Sequence, residues 1–249
     1  MLKIRLGLTL LVIAGALVAT GCSSVQTSEK DPYEGFNRAV FKFNDTVDGW
    51  VLKPVAKGYR AVTPNPVENG ISNFFDNLLE VRNVFNDVLQ WQWGQAANDS
   101  SRFLINSTIG LAGLFDVAKY IHLDKSEGED FGQTLAVWGV GDGPYVMLPF
   151  LGPSNLRDTA GLPVDWYADP IGYVDHVPTR NSTRAFGFIV DRAGVLDAEE
   201  FVSGDRYVFL REAYFQRREY LINNGDVEDD FDSFGDDEYG EEYSDDPGI

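Results

Sequence analysis

The sequence predicts a mainly α-helical domain. Three observations carry that expectation. Apolar residues recur at spacings of three and four over long stretches, proline, glycine and aspartate bracket those stretches as start and stop signals, and no segment shows the two-residue alternation of a strand. No internal repeat is visible.

The elements follow in order. Asp31-Pro32 reads as a helix start, with Asp31 as the cap and Pro32 in the first turn. Phe36, Val40, Phe43 and Val47 then form one helical stripe, and Phe41 lies off it. Pro54 opens or kinks a second segment carrying Val55 and Tyr59, which Pro64-Asn65-Pro66 ends. Residues 67–90 read as a helix, with Phe74, Phe75, Leu78, Leu79, Phe85 and Val88 set among Asn and Asp, and Trp91 and Trp93 follow. A helix over 95–108 leads into the small apolar turn IGLAGLF (109–115) and a polar loop over 119–130. A short helix over 131–138, an amphipathic one over 181–193 stopped by Gly194, and a last one over 205–223 complete the reading. On periodicity alone the aromatic faces between Phe36 and Trp93 fit an ordinary core or a lipid-facing exterior equally well.

The chain has 249 residues, 44% of them hydrophobic, enough for one sizeable packed domain. Its net charge of −19 argues against a nucleic-acid partner, which would need clustered Lys and Arg. Twelve acidic residues and no basic one fall in the final stretch, 226–249, which reads as a solvated, disordered tail. At the other end, Lys3 and Arg5 precede an apolar run over 6–19 too short for a membrane span, and Ala19-Thr20-Gly21 leads into the single cysteine, Cys22. This resembles a bacterial lipoprotein signal, with Ala19 where Leu is more usual. The resemblance implies a mature chain beginning at an acylated Cys22, and Ser23 after it favours sorting to the outer membrane.

The sequence offers little for catalysis. His122 and His176 stand alone in polar loops, with no HExxH spacing and no serine elbow, so no catalytic residue, metal or cofactor is expected. The stretch GVGDGPYVMLPFLGPSNLRD (139–158) begins like a phosphate loop, but Pro144 and Pro149 forbid the helix that would receive the phosphates. It is either a buried connector or a mobile apolar hairpin hinged at its glycines.

Four stretches together resemble the VacJ/MlaA family of outer-membrane lipoproteins: DPYEGFNR (31–38), RFLINSTIGLAGLFDVA (102–118), FGQTLAVWGVGDGPYVMLPFLGPSNLRD (131–158) and REAYFQRREYLINNG (211–225). The resemblance implies a ring of amphipathic helices in one membrane leaflet around a central channel. With the signal, it divides the chain into a signal peptide (1–21), a lipidated tether (22–30) and the helical domain (31–225), while the acidic tail (226–249) departs from the family's pattern. The implied activity is not enzymatic and uses no cofactor. It is removal of misplaced phospholipid from the outer leaflet and delivery to a periplasmic carrier, MlaC, beside trimeric porins of the OmpC/OmpF kind. A purely structural porin adaptor is the alternative.

Residue by residue, the resemblance makes Gly139, Gly141, Gly143 and Pro144 the hairpin's hinge, and Tyr145, Leu148 and Pro149 its apolar arm. Phe43 and Asn44 would border the channel, while Asn106, Arg157 and Asp158 would be channel-side or structural. Val81 stands where the family often has a helix-breaking proline. Moving a lipid with two acyl chains through water would cost on the order of 20 kcal/mol, so its tails must stay covered throughout.

Overall fold

A computed structural model describes residues 30–202 and 204–225; Cys22, the signal segment and the acidic tail lie outside the described residues. Helix α1 (Glu34–Val47) passes through a π-turn (Asp48–Leu52) into α2 (Lys53–Val62). Then come α3 (Asn65–Leu89), α4 (Trp93–Thr108), α5 (Phe131–Val137), strands β1 (Tyr145–Leu148) and β2 (Gly152–Asn155), α6 (Leu156–Ala168), α7 (Val177–Gly194) and α8 (Arg206–Ile222).

The elements touch in a closed circuit. Strand β1 packs on α1, the π-turn joins α1 to α2, α2 packs on α7, α7 on α3, α3 on α5, α5 on α8, and α8 on β2, which pairs with β1. Helices α4 and α6 flank this circuit, on α3 and α5 respectively.

Several expectations are corrected. The chain does contain strands: β1 and β2 form an antiparallel hairpin with Tyr145 opposite Asn155 and Leu148 opposite Gly152. Each is four residues long, too short to show alternation; β1 lies between Pro144 and Pro149, and β2 holds Pro153 within it. Helix α6 was not read at all, because Pro163 sits inside it; its signal was Asn155, whose side chain accepts the Asp158 N–H as a cap. Asp31 is not a cap, since α1 starts at Glu34 and Asp31 is fully buried elsewhere. Pro54 opens α2 but breaks nothing, because the π-turn absorbs it. Pro64-Asn65-Pro66 both ends α2 and starts α3, which runs unbroken past Val81.

Burial is inverted relative to a water-soluble bundle. Among the described residues, twenty polar or charged side chains are buried and only eight apolar ones. Buried polar groups are the informative ones, because each must be hydrogen-bonded or ion-paired. Helix α3 turns Asn77, Glu80, Asn83, Asn86 and Asp87 inward and leaves Leu79, Phe85 and Val88 exposed. Helix α4 meets it with Asp99, Arg102 and Asn106, while Trp93 and Leu104 face out. Arg102 pairs with Glu80 at 3.1 Å, and Asn77 donates to Ser107 at 2.9 Å. Apolar residues of α3 and α4 therefore point outward where a water-soluble bundle would turn them in. Among the described residues no helix is long and apolar enough to cross a membrane.

Candidate functional site

The hairpin is held by α1. Asn37 Nδ2 donates to the Tyr145 carbonyl at 3.0 Å and its Oδ1 accepts the Met147 N–H at 2.9 Å. One step along, Asn44 Nδ2 donates to the Leu148 carbonyl at 2.9 Å and its Oδ1 accepts the Phe150 N–H at 2.8 Å. The spacing has a geometric cause. Seven helical residues rise about 10.5 Å, and three strand residues advance about 10 Å. Asn37 thus satisfies the free edge of β1, and Asn44, two helical turns on, satisfies the turn that follows the strand. Phe43 adds an edge-on ring contact to Phe150, centroids 5.1 Å apart.

Tyr145, which the resemblance assigns to the apolar arm, is the hairpin's buried root. With Met147 and Tyr207 it forms a small core on which Val40, Phe41, Tyr214 and Phe215 pack. Leu148 is half-buried, and the exposed apolar tip is Pro149-Phe150-Leu151. Phe150 turns the chain at φ +64° and is 67% exposed.

The glycine loop is tied down at its far end. The Leu156 N–H donates to the Pro144 carbonyl and the Arg157 N–H to the Asp142 carbonyl, each at 3.1 Å, and the Arg157 guanidinium pairs with the Asp142 carboxylate. Gly139 and Gly143 have φ of +88° and +66°, which side chains rarely adopt. A Cβ on Gly143 would also sit 3.1 Å from the Leu156 Cβ, whereas one on Gly141 would meet nothing.

Of the polar candidates, Asn106 lines no large opening. Its Nδ2 donates to Asp116 at 3.0 Å, and its Oδ1 accepts the N–H groups of Val117 and Ala118, so it shapes the turn after α4. Arg157 is buried against Asp158 and Asp142. Asp158 accepts the Tyr214 hydroxyl at 2.6 Å and lies 2.7 Å from Arg218, and it lines a cavity. Burial pushes the neighbouring Asp130 carboxyl up, but Arg218, bonded to both its oxygens, outweighs this and holds it below its ordinary range. His176 caps α7 through Thr179 and His122 is exposed in its loop.

Two cavities meet the hairpin, and Pro153 lines both. The smaller, about 310 Å³, lies among Leu79, Leu162, Trp166, Asp158 and Arg218. The larger, about 500 Å³, has walls of Phe41, Met147, Val202, Phe209 and Leu210. Ionic groups line it as well, Asp45, Asp48, Arg192, Glu199 and Arg206. Asn44 lines it too. Apolar walls and charged groups within one cavity are what an amphiphile requires, tail on one and headgroup on the other. Sequence reading missed Asn37 and these charged groups; the interval between Asn37 and Asn44 was the one available signal.

The family model for the MlaA lipoprotein matches residues 29–221. The chain belongs to the MlaA lipoprotein family. Its similarity extends nearly end to end. The intermembrane phospholipid transport system lipoprotein MlaA of Escherichia coli K12 is 36% identical over 91% of this chain and 92% of its own length. The MlaA of Haemophilus influenzae is 32% identical over 92% and 95%. An uncharacterised protein of Rickettsia typhi is 38% identical over 81% and 80%. A solved structure described under the words "structural basis for maintenance of bacterial outer membrane lipid asymmetry" superposes with a TM-score of 0.69 at 39% identity, covering 78% of this chain and 99% of that one. The mainly α-helical MlaA fold is thus common to both.

Proposed function

We propose that this MlaA-family chain is an outer-membrane lipoprotein that removes mislocalised phospholipids from the outer leaflet and passes them to a periplasmic carrier of the MlaC kind, without catalysis or cofactor. Cys22 carries the anchor, on the periplasmic side. The helices lie within a leaflet as a ring, their apolar faces against acyl chains or against a porin trimer of the OmpC/OmpF type, and lipid moves through the middle. The observation that carries the reading is the inverted burial together with the amphipathic 500 Å³ cavity under the hairpin. Exposed apolar surface on this scale is a liability in water and a requirement in lipid. In this reading the loop at Gly139, Gly141, Gly143 and Pro144 gates the passage, Leu148 and Pro149 belong to the moving apolar element, and Phe43 and Asn44 border it.

The test is photo-crosslinking in cells from positions 139–151. Captured phospholipid is expected. A deletion strain is expected to accumulate phospholipid in the outer leaflet and to become sensitive to detergent with chelator. Normal outer-leaflet composition in that strain, or crosslinks to protein alone, would overturn the reading in favour of an adaptor.

A further inference from the structure

The three carboxylates and two guanidinia of the larger cavity, balanced by Lys53 beside them, fall into two layers. The inner layer is closed: Arg192 grips both oxygens of Asp48 at 2.7 and 2.9 Å and also pairs with Glu199, which Lys53 approaches as well. Arg192 and Asp48 keep only 13% and 22% of their side-chain exposure. The outer layer is the pair of Arg206 Nη1 with Asp45 Oδ1 at 2.6 Å, 47% and 39% exposed, and Arg206 Nη2 also stands 3.9 Å from Glu199 of the inner layer. An ion pair that exposed contributes little and opens readily, whereas the inner group is held by several partners at once.

We propose that the cavity selects phospholipids whose headgroup is a zwitterion, a phosphate joined to an ammonium, by exchange with the Asp45–Arg206 pair. This rests on the transport reading above. The Arg206 guanidinium presents a planar fork that fits a phosphate. Asp45, released from Arg206, then takes the ammonium. The exchange replaces one ion pair by two and strands no charge. A headgroup bearing phosphate alone satisfies Arg206 but leaves Asp45 unpaired beside a second negative charge. The acyl chains begin at Phe41, Phe209 and Leu210 beneath.

The experiment exposes the purified full-length protein to vesicles holding equal amounts of phosphatidylethanolamine and phosphatidylglycerol, and quantifies the lipid it retains by mass spectrometry. Phosphatidylethanolamine should be retained about fivefold over phosphatidylglycerol, the discrimination one exposed charge pair can supply. Asp45→Asn should bring that ratio close to one by raising phosphatidylglycerol, and Arg206→Gln should lower both lipids. If Arg206→Gln does not fold, the Asp45→Asn ratio decides alone. Equal retention by the wild type, or an unchanged ratio in Asp45→Asn, overturns the headgroup proposal and leaves transport standing. Retention of neither lipid overturns both.

Discussion

The phenol of Tyr207 donates to the carboxylate of Asp31 at 2.6 Å, joining residues 176 apart in the chain. Both are fully buried, and Asp31 also accepts from Asn37 at 2.8 Å and lies 3.1 Å from Arg211. This knot ties the entry to α1 to the first turns of α8, the two helices that the hairpin joins in the circuit. Hydrogen bonds to a charged group are worth about 1.5–3 kcal/mol. Tyr207→Phe, which removes one atom and keeps the ring contacts to Phe41 and Tyr145, should therefore lower stability by about 2 kcal/mol. In detergent, the urea midpoint should fall with an unchanged slope. An unmoved midpoint would mean the knot is dispensable.

Asn37 and Asn44 make the same bonds with different expected consequences. Asn37 is fully buried, so Asn37→Ala strands the Tyr145 carbonyl, the Met147 N–H and part of Asp31, and should cost about 3 kcal/mol or more. Asn44 holds only the exposed tip. Asn44→Ala should leave global stability within about 1 kcal/mol while releasing Leu148–Phe150. Hydrogen exchange at the Phe150 amide should accelerate in Asn44→Ala with the α8 amides unchanged. Equal acceleration in both regions would show that the tip is no separate unit.

How much was legible in the sequence follows from these residues. Helices α3 and α8 were read close to their true limits because their stripes are long. The direction of the stripes was not legible, since periodicity locates a face without saying what it faces. The inward row from Asn77 to Asp87 held that information, but polar residues at helical spacing look like a solvated surface. Asp31 looked like a cap because Asp-Pro is a common helix start, and the buried partners that claim it lie 6 and 176 residues away. The hairpin's boundaries were visible in the glycines and prolines. Its attachment was not, because two asparagines seven apart on a helix look like any pair on a solvated face.

The loop glycines separate transport from folding. Gly143→Ala combines a positive φ with a close approach to Leu156 and should destabilise by about 1–2 kcal/mol. Gly141 has neither constraint, so Gly141→Ala should stay within about 0.5 kcal/mol of wild type. If the loop gates lipid passage, Gly141→Pro or Gly141→Ala should still raise outer-leaflet phospholipid in cells at normal protein abundance. Wild-type lipid asymmetry in both would leave the loop as a fixed connector and favour the adaptor reading.

Asp87 gives the fold a signed pH dependence. Burial, and then the charges of Asp99, Glu129 and Glu80, push its carboxyl up to about 8. Burial likewise raises Glu129 to about 7, against its bond from Gln90. A carboxyl whose folded value lies above its unfolded one holds a proton that the unfolded chain has already released. Stability is therefore full below about pH 4 as far as Asp87 is concerned, and declines as pH rises through the window to about 8, by at most about 1.4 kcal/mol per pH unit for one proton. Neutralising the group without changing its shape removes the proton from the balance. Asp87→Asn should flatten the decline of the urea midpoint between pH 5 and 8 and raise stability at the alkaline end, whereas Asp197→Asn, on an exposed carboxyl already held low by Arg60, should leave that slope as it is. A wild-type stability that rises across this window would show that the interior carboxylates are ionised and paired by groups other than those around Asp87.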